Sequence, residues 1–146
     1  MDVRSLLKVM VDQEASDLYL TVDSAPAYRV HGSTQQTSAP PFTNEQLEAL
    51  ALALMRGQQR GEFEEKMEMN LALYYKELGR FRVNIFRQRG NVGIVFRHIK
   101  AEIQTADQLG LPPIVKDIAM TKRGLVLVVG ATGSGKSTTL AAMIDH

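Results

Sequence analysis

Residues 125–144 read LVLVVGATGSGKSTTLAAMI. Five apolar residues, Leu125–Val129, run without interruption, as in a short strand buried on both faces of a parallel sheet. Gly130, Ala131, Thr132, Gly133, Ser134, Gly135, Lys136 and Ser137 then fit the pattern G-x-x-x-x-G-K-[ST]. A helix-prone stretch beginning at Thr138 follows. Strand, glycine loop and helix in that order make a phosphate-binding P-loop. The glycines let the backbone fold so that successive N–H groups point at one anion. The helix directs its positive end at the same place. Lys136 supplies a cation for the β- and γ-phosphates, and the Ser137 hydroxyl is placed to ligate a Mg²⁺ ion that bridges them. A nucleoside triphosphate, ATP first, is the expected ligand of Gly130–Thr138.

Upstream of this motif the pattern changes. Val3, Leu6, Leu7, Met10 and Val11 recur at helical spacing, and Asp17–Val22 and Ala27–His31 read as short strands. Ser33–Pro41 reads as a loop, with room for a short strand. Thr43 is placed to cap a helix from Asn44 to about Met55, with Gln46 as its capping-box partner. A second helix is expected over Gln58–Lys66. Met69–Tyr75, Arg80–Gln88 and Val92–Lys100 follow as strands of an antiparallel meander. The expected class is α+β, with a self-contained domain over 1–100, a polar linker over 101–111 and the opening of an α/β domain over 112–146. In that last part Pro112 and Pro113 open a short helix.

The third strand group is basic. Arg80, Arg82, Arg87, Arg89, Arg97 and Lys100 fall between Gly79 and Lys100 with no acidic residue among them. Strand alternation puts Arg80, Arg82 and Asn84 on one face and Phe81, Val83 and Ile85 on the other. Three readings fit: a solvated sheet face paired with Glu62, Glu64, Glu65 or Glu68, a nucleic-acid surface, or a phosphate-sensing arginine set. Asp17, at a strand start, reads as a local cap.

Bulk properties narrow the field. The chain has 146 residues, a formal net charge of +1 and no cysteine. Disulfides and cysteine chemistry are excluded, and any anion site must be local rather than a property of the net charge. Its apolar runs are too short to cross a bilayer, and the N-terminus lacks the pattern of a secretory signal, so a cytoplasmic location is expected. His31, His98 and His146 lack metal-ligand spacing.

Taken together, SDLYLTV (16–22), AYRVHG (27–32), GRFRVNIFRQRG (79–90), VFRHI (95–99) and GLVLVVGATGSGKSTTLAAMIDH (124–146) resemble the N-terminal part of type IV pilus retraction ATPases, the PilT/PilU family. Ala131, where PilT-like members carry proline, makes the chain more similar to the PilU-like branch. The resemblance implies a PAS-like N-terminal domain, a RecA-like motor domain, and hexameric rings at the cytoplasmic side of the inner membrane. It implies ATP and Mg²⁺ as cofactors, and as partners further copies of the chain, a PilT-like ATPase and an inner-membrane platform protein, with no nucleic acid. It places Arg82 and Arg97, with Arg80 behind them, on the nucleotide phosphates beside Lys136. The family's catalytic glutamate, Walker B segment and histidine box lie beyond the P-loop. The expectation is therefore an N-terminal piece of a longer enzyme that does not itself turn over ATP. A secretion or pilus-assembly ATPase of the same superfamily, and a non-catalytic docking module for a partner ATPase, are the alternatives.

Overall fold

The computed structural model describes residues 2–99 and 103–146. Lys100, the expected last residue of the basic strand, and Ala101 and Glu102 of the expected linker lie outside the described residues. The chain forms two compact units, 1–99 and 100–146.

The first unit is built on β1 (Asp17–Leu20), β2 (Ala27–Val30), β3 (Ser33–Gln36), β4 (Glu68–Tyr75), β5 (Gly79–Gln88) and β6 (Asn91–Ile99). All pair antiparallel in the order β3-β2-β1-β6-β5-β4. The sheet is thus two three-stranded meanders joined along one seam, β1 against β6. Within the expected loop, Ser33–Gln36 forms the short strand for which the sequence left room, the exposed edge strand β3 paired with β2.

Register explains the core. Leu18 lies opposite Phe96 and Tyr28, Val83 opposite Phe96 and Leu71, and Ile85 opposite Ile94 and Met69. Because side chains alternate, these residues share one face. That face is covered by α1 (Val3–Asp12), α2 (Asn44–Leu54) and α3 (Gly57–Lys66), which contribute Leu6, Leu7, Met10, Leu47, Ala51 and Phe63 to one buried cluster. Helix α2 starts where its sequence says it should: Gln46 N donates to Thr43 Oγ1, and Thr43 N donates to Gln46 Oε1. The buried Tyr28 hydroxyl donates to the Leu6 carbonyl at 3.0 Å, tying β2 to α1, and burial pushes its pKa up.

The second unit holds α4 (Ile114–Ala119) and α5 (Lys136–Asp145). Thr105 and Gln108 exchange a pair of side-chain to backbone bonds, and Lys116 Nζ meets Asp107 at 2.6 Å. Within the expected linker, the described residues 103–111 thus contain a capped turn bonded to α4. Leu125–Val129 lies in no strand, and Leu125, Leu127 and Val129 are 83%, 73% and 84% exposed. A parallel strand needs neighbours on its edges, and no described strand lies beside this run.

Two outcomes follow. Truncating the fully buried Phe96 to alanine lowers stability by about 3–5 kcal/mol, whereas Leu127→Ser changes it by no more than ~0.5 kcal/mol. Urea unfolding followed by circular dichroism compares them. A large loss at Leu127 would mean that the apolar run is covered in solution.

Candidate functional site

In the second unit, the loop before α5 is shaped by its glycines. Gly133 and Gly135 have φ of 82° and 87°, the left-handed region in which side chains are strained. At Gly130 an added Cβ would stand 2.7 Å from Ser134 Oγ. Gly135 caps α5 with no side-chain bond, and the first helical hydrogen bond described there runs from Thr139 N to Gly135 O. The N–H groups of Lys136, Ser137 and Thr138 therefore start the helix without intrahelical partners and define its positive end. Lys136 Nζ reaches back to the Ala131 carbonyl at 2.6 Å, so the ammonium lies over the loop. The structure thus brings backbone donors, a cation and the Ser137 hydroxyl onto one short segment, with Gly130–Ser134 as its wall. Among the described residues no group of His, Asp or Glu side chains could hold a metal ion.

In the first unit, the sheet face opposite the helices carries the arginines. Arg82 on β5 is directly opposite Arg97 on β6, Arg97 is opposite Asp17 on β1, and Asp17 is opposite Arg29 on β2. One rung thus crosses four strands with charges +, +, −, +. Arg80 shares the face, two residues before Arg82. An open concavity of about 370 Å³ is lined by Glu68, Asn70, Arg82, Asn84, Val95 and Arg97.

The partners differ from those the sequence offers. Glu62 and Glu64 pair with Lys66 and Arg87, not with the rung arginines. Glu68 accepts from Asn70 and Asn84 at 3.1 and 2.9 Å, and Arg82 Nη2 makes only a long bond to Asn70 Oδ1, 3.4 Å. Arg87 follows the alternation of Val83 and Ile85 instead, and bonds Glu48 of α2 at 2.8 Å.

Asp17 is the residue that sequence reasoning missed. It caps no helix. Its carboxylate is buried, accepts from Arg97 Nε at 2.8 Å and from Ser16 Oγ at 2.9 Å, and lies 4.0 Å from Arg29 Nη1. That hydrogen bond, with the carboxylate's charge, raises the pKa of Arg97. The available signal was the alternation in Asp17-Leu18-Tyr19-Leu20: with both leucines inward, Asp17 had to share a face with Tyr19, away from the core.

An α+β unit followed by a glycine loop opening on Lys-Ser at a helix start is the architecture of a P-loop chain with an N-terminal accessory sheet. The chain belongs to the Type II/IV secretion system protein family, whose pattern matches residues 2–146. It is 45% identical to the type IV pilus ATPase PilU of Pseudomonas aeruginosa over 146 residues, which are 100% of this chain and 38% of that protein. It is 42% identical to the type IV pilus retraction ATPase PilT of the same organism, over 100% of this chain and 42% of PilT. Among solved structures, the pilus retraction motor PilT with bound ADP superposes with a TM-score of 0.84 at 38% identity, covering 99% of this chain and 43% of that one. The chain thus spans about four-tenths of the length of the relatives it matches.

Gly135 opens α5 from the left-handed region, with φ of 87°. Gly135→Val forces a β-branched residue to φ of 87° at the helix start. The expected cost is about 1–3 kcal/mol, felt as fraying of α5. Hydrogen exchange at the amides of Thr139–Ala142 measures it, and unchanged protection there would contradict the geometry described.

Proposed function

We propose that this chain is the nucleotide-facing N-terminal region of an ATP-driven motor for type IV pilus retraction. The observation that carries the reading is the P-loop geometry at the start of α5, in a chain similar over its whole length to PilU and PilT. Gly130–Thr138 hold the triphosphate, through the N–H groups of Lys136, Ser137 and Thr138, and Lys136 neutralises the β- and γ-phosphates. The Ser137 hydroxyl is the chain's contribution to Mg²⁺. In this reading the metal comes with the nucleotide. When bound, Mg²⁺ supplies charge neutralisation at the phosphates.

Arg82 and Arg97 are the second half of the site. Both are exposed and stand on adjacent strands, and arginine's planar fork suits phosphate oxygens. The arginines serve nucleotide phosphate in this reading, in their own chain or in a neighbouring copy. That second possibility fits a ring of identical subunits, six in this reading, working beside a PilT-like ATPase on a platform protein at the inner membrane. No described helix is long and apolar enough to cross a membrane. The first unit reads as the PAS-like domain and the second as the start of the RecA-like one. A ring of this kind converts phosphate release into domain movement through the arginine face.

Isothermal titration with ATP and Mg²⁺ tests this reading. Lys136→Ala is expected to weaken binding by about tenfold or more, near 1.4 kcal/mol, and omission of Mg²⁺ is expected to weaken it as well. Equal affinity for the wild type and Lys136→Ala would remove the basis for the assignment.

A further inference from the structure

The arginine rung contains an arrangement that a simple phosphate patch does not need. Arg82 and Arg97 stand directly opposite each other, where like charges repel. Asp17, next along the rung, carries the only negative charge among its four charged members. Its side chain is 4% exposed, while that of Arg97 is 62% exposed. The carboxylate is thus buried under the guanidinium it holds, and the guanidinium itself faces solvent.

The point of attachment matters. Arg97 meets Asp17 Oδ1 through Nε, at 2.8 Å, and no other hydrogen bond of its guanidinium occurs among the described residues. Arginine has five N–H donors in a rigid plane. Holding Nε fixes the plane of the group and leaves the four donors on its two terminal nitrogens for another acceptor. A carboxylate that engaged both terminal nitrogens would fix the arginine equally well and use up the edge that binds phosphate. Ser16 Oγ donates to the other carboxylate oxygen, and Arg29 lies 4.0 Å from it. These contacts keep Asp17 from swinging and balance its charge without a bond to the terminal nitrogens of Arg97.

We propose that Asp17 is a positioning residue for the phosphate site: anchored on β1, it grips Arg97 by Nε and presents the free edge of the guanidinium to the phosphates of the bound nucleotide. This rests on the phosphate role assigned above to Arg97. Asp17 itself touches no phosphate. Its effect passes through Arg97, by removing the side-chain entropy that a free arginine would lose on binding. It also links nucleotide contact to the β1–β6 seam, since the gripping residue and the gripped one lie on its two sides.

The test is a mutant cycle on the intact chain, titrated with ATP and Mg²⁺. Asp17→Asn keeps the shape and an acceptor but loses the charge. It is expected to weaken ATP binding about three- to tenfold with Arg97 present, and less than about twofold in an Arg97→Ala background, because coupled residues are non-additive. Arg97→Lys, which leaves Asp17 untouched, keeps a charge but has no second edge. It is expected to lose about as much affinity as Arg97→Ala. In parallel, the Nε–H resonance of Arg97 is expected to be resolved and protected from solvent exchange in the wild type and averaged with solvent in Asp17→Asn. Equal losses from Asp17→Asn in both backgrounds would show that Asp17 serves the fold alone and overturn the proposal, as would wild-type affinity in Arg97→Lys. If Arg97→Ala binds ATP normally, or the intact chain does not bind ATP, the phosphate role of Arg97 falls and the positioning role falls with it. A loss at Arg97→Ala without coupling to Asp17 sinks only the positioning role. If Asp17→Asn does not fold, the Arg97→Lys comparison and the wild-type Nε–H resonance still decide it.

Discussion

The first unit depends on the seam between β1 and β6. Each meander to its side can form from local hairpins, but the sheet exists only when residues 80 positions apart in sequence meet, as Asp17 and Arg97 do. Closing so long a loop costs entropy that local contacts do not repay. Apolar register supplies most of the compensation, with Leu18 against Phe96 and Leu20 against Ile94 facing the helices. The ion pair adds direction. A slip of the seam by one residue would turn Leu18 and Leu20 outward and carry Asp17 into the apolar layer, where an unpaired carboxylate is not tolerated. The same contact that fixes register thus fixes the arginine face.

Much of this was legible from residues alone because it is local. The Thr43–Gln46 capping box, the α1 stripe from Val3 to Met10, and the meander after Met69 are written at periods of 3.6 and 2, and the structure has them within a residue or two of where the sequence puts them. Strand alternation alone placed Arg82 on the face away from Phe81 and Val83. What could not be read is that β1 lies beside β6. Whether Arg97 stands opposite Arg82, and whether Asp17 stands beside both, depends on two registers that no local pattern states. Asp17 looked like a cap for that reason. The partner of Arg87 could not be read either, because Glu48 comes from a helix far away in sequence.

The P-loop was legible for the opposite reason: its function is carried by a contiguous string. Glycine at 133 and 135 is required by positive φ, and Lys136 and Ser137 open the helix, so spacing and geometry are one fact. The apolar run before it is different. Leu125–Val129 has the composition of a strand buried on both faces, yet its side chains are largely exposed. Composition reports the environment a segment is suited to. It does not provide the neighbours, and here no described strand does so.

The glycine loop and the arginine face therefore differ in what holds them. The loop at 130–138 is shaped by its own backbone, through glycine torsions and the start of α5, and needs little from the rest of the chain to present its donors. The arginine face is shaped by tertiary register and comes apart if the seam does. A change in what the Arg97 guanidinium binds would act on Asp17, and so on the strand pairing that the first unit cannot do without.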